Sequence, residues 1–200
     1  MKELIQASIR ESLSLKERFF AENLERLVRV GDVLIEALRH GHKIFLFGNG
    51  GSAADAQHIA AELVNHFEVT RRGLPALALT TDASALTSIG NDLGFEQIFS
   101  RQIEALGQAG DVAIGISTSG RSPNVVRALE SAKSMGLVTV GLTGRDGGPI
   151  AAQVDYTINV PHASTARVQE VHGMIGHILS LVIDQAFSAG ERSLTSPRLK

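Results

Sequence analysis

The sequence lacks cysteine altogether among its 200 residues. That excludes a disulfide framework, a thiolate zinc site and a cysteine nucleophile. It also lacks a charge excess: 19 Lys and Arg face 21 Asp and Glu, a formal net charge of -2. A general nucleic-acid binder would carry a basic stripe, and an anionic membrane surface would ask for the same. No apolar run approaches the roughly 18 residues of a membrane span. The opening Met1-Lys2-Glu3-Leu4-Ile5-Gln6 is charged and polar where a signal peptide needs an apolar centre. The expectation is a cytoplasmic protein with neither nucleic acid nor membrane as partner. Two nucleotide motifs are missing too. There is no G-x-x-x-x-G-K-[ST], and the glycine cluster at 48–51 breaks the G-x-G-x-x-G spacing.

What is present is a 200-residue chain, 44% hydrophobic and 20% charged, long enough for one domain with a full core. Residues 1 to about 28 carry Ile5, Ile9, Leu13, Phe20, Leu24 and Leu27 at helical spacing. A second helix, with Val30, Val33, Leu34 and Leu38 on one face, is expected to end near Gly41. A long amphipathic stretch ahead of a sheet domain points to packing on a partner subunit. Five short apolar runs follow, at 43–47, 76–80, 111–116, 138–143 and 156–160. Near-continuous apolar runs read as strands buried on both faces, as in a parallel sheet. Helical patterns lie between them at 52–66, 83–107 (broken near Gly90–Gly94), 122–135 and 165–187. The expected fold is therefore α/β: a doubly wound, mainly parallel five-stranded sheet in an α/β/α sandwich. One domain should cover 1–190, with a helical extension over about 1–40 and a loose polar tail at 191–200. Ligands in such sheets bind outside the carboxyl ends of the strands.

Two strand ends carry loops suited to an anion. Gly48-Asn49-Gly50-Gly51-Ser52 lets the backbone approach a ligand ahead of a helix N-terminus. Ser117-Thr118-Ser119-Gly120-Arg121-Ser122 offers four hydroxyls near another. Ser and Thr are ordinary N-caps, but two such loops favour a phosphate or sugar-phosphate site over capping alone. Ionisable groups gather on two helices. His58 and Glu62 are four apart and share a helix face. Gln169 and His177 are two turns apart on the last helix, with Gly173 and Gly176 between them, where glycine costs about 1 kcal/mol relative to alanine. Such glycines suggest close approach of a backbone or ligand. His58, Glu62, Gln169 and His177 together suit zinc or a similar divalent ion. Alternatively, Glu62 and His177 serve as general base and general acid.

These strings resemble the sugar isomerase (SIS) family, and within it the phosphoheptose isomerases. The matching segments are GNGGSAADAQHIAAEL at 48–63, LPALALTTD at 74–82, IGNDLGFEQIFSRQIEALG at 89–107, GDVAIGISTSGRSPNV at 110–125, GLTGRDGG at 141–148 and RVQEVHGMIGH at 167–177. The resemblance spans nearly the whole chain. It implies a homotetramer with active sites shared between subunits. It also implies isomerisation of D-sedoheptulose 7-phosphate to D-glycero-D-manno-heptose 7-phosphate, the first step of bacterial ADP- or GDP-heptose supply. Carried over by position, the substrate contacts are Asn49, Gly50, Gly51, Ser52, Glu62, Asn91, Asp92, Ser117, Thr118, Ser119, Ser122 and Gln169. The implied zinc ligands are His58, Glu62, Gln169 and His177, and the implied acid–base pair is Glu62 and His177. His172 falls inside the motif without a ligand role and is read as structural. The chain departs from the pattern at His66, where many relatives have Arg, at Ala166, where some have Asp, and at Arg72, where Pro is frequent. These departures bear on substrate contacts and rate, not on the reaction class. Some SIS proteins are non-catalytic, binding the replication initiator and regulating chromosome replication. They typically lack the carboxylate and imidazole present here as Glu62 and His177.

Overall fold

The structure, a computed structural model, describes residues 1–191. The tail expected over 191–200 lies, beyond its first residue, outside the described residues. The elements run α1 (Lys2–Arg39), β1 (Ile44–Gly48), α2 (Gly51–Val64), β2 (Ala76–Ala78), α3 (Ala83–Asp92), a 3-10 turn (Phe95–Gln97), α4 (Ser100–Leu106), β3 (Val112–Ser117), α5 (Pro123–Ser134), β4 (Val138–Gly144), α6 (Gly148–Gln153), β5 (Tyr156–Val160) and α7 (Thr165–Glu191). The five strands are all parallel, in the order β2-β1-β3-β4-β5. In that order the winding reverses between β1 and β3, so a crevice opens at their carboxyl ends. The two small-residue loops leave the sheet there.

Strand side chains point alternately to the two faces. Ile44 and Leu46 of β1 join a core with Leu34, Leu63, Val140 and Ile175, under α1, α2 and α7. Phe45 and Phe47 join a second core with Ile103, Val125 and Leu129, under α4 and α5. Both faces of the sheet are thus covered, which is why the strand sequences read as unbroken apolar runs.

Three expectations are corrected. The N-terminal region is one continuous 38-residue helix, not two. Gly31 lies inside it, and a Cβ there would stand 3.4 Å from Val182 of α7. The glycine thus serves close packing of α1 on α7. β2 is shorter than expected, and α6 is an additional helix. Its signal is Pro149 at the first turn after Gly147, which adopts a positive φ of 84°. The apolar residues of α1 also divide. Leu27, Val30, Leu34 and Leu38 are buried against the domain, whereas Ile5, Ile9, Leu13 and Leu24 stay more than half exposed.

His172 ties α7 to the sheet. Its buried Nε2 lies 3.0 Å from the Thr143 carbonyl, while Nδ1 is buried without a partner among the described residues. Burial lowers its pKa to about 4, despite the opposing hydrogen bond to Thr143. The unfolded imidazole titrates near 6.5, so between those values the unfolded chain binds the extra proton. Stability is therefore expected to fall as pH drops from 6.5 to 4, by about 3 kcal/mol from this residue. Urea unfolding of wild type and His172→Asn across that range measures it; equal pH slopes would refute the assignment.

Candidate active site

The first loop is built for contact. A Cβ on Gly48 would lie 2.8 Å from the Ile116 carbonyl, and one on Gly51 would collide with the Gln169 amide. Gly50 turns the chain into α2 with φ 57°. Asn49 is fixed by a reciprocal amide pair with Asn124 of α5, each Nδ2 donating to the other Oδ1 at 2.9 Å. Asn124 is buried, and sequence reasoning missed it. Its signal is faint, a polar residue in the first turn of a helix, and the partner is 75 positions away. In the second loop, Ser117 Oγ lies 2.9 Å from Ser122 Oγ and 3.4 Å from Ser119 Oγ. Ser119 Oγ also accepts from the Arg121 N–H at 3.2 Å. Gly120 has φ 67° and abuts Gly147 so closely that no side chain fits. This hydroxyl cluster therefore has little freedom to collapse or spread. Thr118 is half-buried beside it.

The ionisable group forms where α2 packs alongside α7. Gly51 meets Gln169 near the start of both helices, and Gly176 meets Ile59 farther along, so the helices run parallel. At Gly176 a Cβ would stand 2.7 Å from Ile59, which explains that glycine; at Gly173 it would meet nothing within 4 Å. His58, Glu62 and His177 come together beyond Gly176, offering ligand atoms within 4.8 Å of one another. His58 Nε2 is 3.0 Å from Glu62 Oε1. The His58 and His177 rings meet edge-on at 5.0 Å. Phe67, which sequence reasoning missed, stacks on His177 with centroids 5.3 Å apart and planes 17° apart.

Two imidazoles and a carboxylate at this separation fit a divalent ion of the zinc class. One turn before His58, Asp55 supports that polarity. Burial raises its pKa, His58 opposes the shift, and its Oδ2 is buried without a partner among the described residues.

Gln169 lies eight residues before His177, about 12 Å along the helix axis, with its amide against Gly51. Within one chain it thus stands beside the first loop, while the other three expected ligands cluster two turns away. Asn91 and Asp92 lie exposed on the last turn of α3, Asn91 Nδ2 donating to Asp92 Oδ1 at 2.7 Å. Ser52 is buried at the start of α2. His66 is half-buried, its Nδ1 enclosed without a partner among the described residues. Ala166 is exposed at the start of α7, and Arg72 lies over the Phe187 ring.

Residues 9–144 match the SIS domain family. A phosphoheptose isomerase from a Nitratiruptor species is 54% identical over 187 residues, which cover 94% of this chain and 100% of that protein. One from Aquifex aeolicus is 51% identical over 185 residues, covering 92% and 97%. Among solved structures, the phosphoheptose isomerase from Neisseria gonorrhoeae superimposes with a TM-score of 0.87 at 46% identity, over 92% of this chain and 98% of that one. The one from Francisella tularensis gives 0.89 at 35% identity, over 92% and 97%.

Proposed function

The chain belongs to the SIS-domain family and, within it, to the phosphoheptose isomerases, and from that premise we propose how its residues carry out an aldose–ketose isomerisation. The substrate is D-sedoheptulose 7-phosphate and the product D-glycero-D-manno-heptose 7-phosphate, the entry to ADP- or GDP-heptose supply. The observation that carries this reading is the meeting of His58, Glu62 and His177 at the α2–α7 seam, about two to three helical turns from the two anion-suited loops of the same chain, a separation that active sites shared between subunits would close. The shared isomerase name of the relatives favours it over the non-catalytic, initiator-binding alternative.

In this reading the hydroxyls of Ser117, Thr118, Ser119 and Ser122 take the phosphate, donating to its oxygens. Asn49, Gly50, Gly51 and Ser52 hold the sugar chain. Gln169, with its amide against Gly51, reaches the same sugar. Asn91 and Asp92 complete the substrate set at a position more distant in sequence.

Glu62 takes the proton from the carbon next to the carbonyl, giving a cis-enediol, and returns it to the adjacent carbon. His177 donates a proton to the carbonyl oxygen and takes one back from the neighbouring hydroxyl oxygen, which becomes the new carbonyl. His58, Glu62 and His177 would hold a zinc ion; Gln169, the fourth donor that the family resemblance implies, lies about 12 Å along α7 in the same chain and would have to come from another subunit. Such an ion, when bound, supplies Lewis-acid polarisation of the substrate oxygens. A ligating carboxylate is a weaker base, so the two roles of Glu62 oppose each other.

The proposed assembly is a cytoplasmic homotetramer. Its support in this chain is an apolar groove of about 520 Å³ between α1 and α7, lined by residues including Phe20, Leu24, Val28, Met174 and Val182. Leu24 and Val28 are at least half exposed there.

The test is turnover of sedoheptulose 7-phosphate by protein as purified, after chelation and after zinc is restored, with the same samples examined by sedimentation velocity. Activity lost with chelator and regained with zinc is expected, in a species several times the 21.3 kDa chain mass. No product under any condition would overturn the reaction, and a monomer would overturn the assembly.

A further inference from the structure

The segment that joins α2 to β2, residues 65–75, has no helix or strand of its own, yet it is held at several points. Asp184 of α7 does most of this. Its Oδ2 accepts the backbone N–H groups of Phe67, Glu68 and Val69 at 2.9, 2.8 and 3.0 Å. Its Oδ1 accepts from Arg71 Nε at 2.7 Å. The Arg71 guanidinium donates in turn to the carbonyls of Glu62, Leu63, Asn65 and Arg72. Both side chains are fully buried. A buried ion pair is costly unless its remaining donors and acceptors are satisfied, and here they are.

The placement of the pair is informative. Asp184 follows His177 by two turns on the same side of α7. Arg71 grips the last turn of α2 at the Glu62 carbonyl. The segment strung between them presents one aromatic ring, Phe67, flat against His177. One buried pair therefore connects the backbone of Glu62, the helix bearing His177 and the ring that covers His177.

We propose that Phe67, held in place by the Arg71–Asp184 pair, is a positioning residue that fixes the His177 imidazole against His58 and Glu62. The proposal rests on the reading of His177 as a member of the active site. Without the ring beneath it, an imidazole as exposed as His177 has several rotamers open to it. With the ring in place, one face is covered and the ring plane is set. The partners that orient a metal-binding histidine ordinarily change metal affinity or activity by about 10–100-fold when lost.

The test compares Phe67→Leu, which keeps apolar bulk and leaves the buried pair intact, with Phe67→Tyr, which keeps the stack. Three readouts are taken on the full chain. The first is the NMR shift of the His177 ring protons, identified by their loss in His177→Gln. A stacked phenyl ring displaces them by its ring current, and this readout needs neither metal nor substrate. The second is zinc affinity by competition with a chromogenic chelator. The third is the split between kcat and KM.

Phe67→Leu is expected to abolish the ring-current shift and weaken zinc binding by about tenfold or more. It should also lower kcat while changing KM by less than about threefold. Phe67→Tyr should restore all three. An unchanged His177 shift, or wild-type zinc affinity and kcat in Phe67→Leu, would overturn the proposal. If wild-type protein neither bound zinc nor turned over substrate, the assigned function would fail, and the ring-proton shift would decide the positioning role by itself.

Discussion

Glu62→Gln is expected to lower kcat for sedoheptulose 7-phosphate by about 10²–10⁴-fold, the range that loss of a general base produces. The substitution keeps the size and hydrogen-bonding reach of the side chain but removes its negative charge and its basic oxygen. Glu62 is one-fifth exposed and sits 3.0 Å from His58 Nε2, so the amide can occupy the same space. Zinc content of the purified variant separates the two roles of the carboxylate. Lost activity with zinc retained assigns Glu62 as base. Lost activity with lost zinc, recovered in excess zinc, assigns it as ligand. A variant with wild-type turnover would remove Glu62 from both roles and the mechanism with it.

The second large effect concerns stability. Asp184→Ala leaves the fully buried Arg71 guanidinium without its counter-charge and three partly buried backbone N–H groups without an acceptor. Removing one member of a buried, hydrogen-bonded pair costs about 3–5 kcal/mol, or roughly 6–20 °C in Tm for a chain of this size. Burial by itself would raise the pKa of Asp184. The N–H groups of Val69, Glu68 and Phe67 and the charge of Arg71 outweigh burial and lower it. Its contribution is therefore complete above the unfolded carboxyl pKa and is lost as pH falls through the lower folded value. Urea unfolding at pH 7 and one fixed protein concentration tests the prediction, because self-association shifts apparent stability. A loss below about 1 kcal/mol would contradict it. The double replacement Arg71→Met with Asp184→Leu should cost less than Asp184→Ala, since no lone charge is then left buried.

Much of the sheet is legible in the sequence because its strands are buried on both faces. Runs such as Lys43–Phe47 and Asp111–Ile116 announce themselves whatever their neighbours are. The two loops are legible for a related reason: glycines and hydroxyls next to a buried strand have few structural uses. The His58–Glu62 pair can be read because a helix places residues four apart on one face. What escapes is whatever depends on two distant segments. Asn124 means little until it is seen against Asn49, and Arg71 means little without Asp184, 113 positions away. Phe67 reads as an ordinary apolar residue in a linker until the ring of His177 lies beside it. The continuity of α1 past residue 28 also escapes, because it depends on packing against a distant helix. Val182 and Leu179 of α7 lie opposite Gly31, where the absence of a side chain lets the two helices approach.

The packing of α1 on α7 has a consequence for how the protein is made. α1 leaves the ribosome well before α7, yet they touch at Gly31, Leu179 and Val182. They also touch where Arg167 donates to the Ser8 carbonyl and Ser12 to Glu170. At 5–20 residues per second, about 8–30 seconds separate the end of α1 at Arg39 from the completion of α7 at Glu191. During that interval α1 has formed its backbone bonds but not its final neighbour, and part of its apolar stripe faces water. The newborn chain is then most exposed to chaperones and to other unfinished chains. The arrival of α7 supplies in one step both the neighbour of α1 within the chain and the side chains around His177, leaving Ile5, Ile9, Leu13 and Leu24 still exposed.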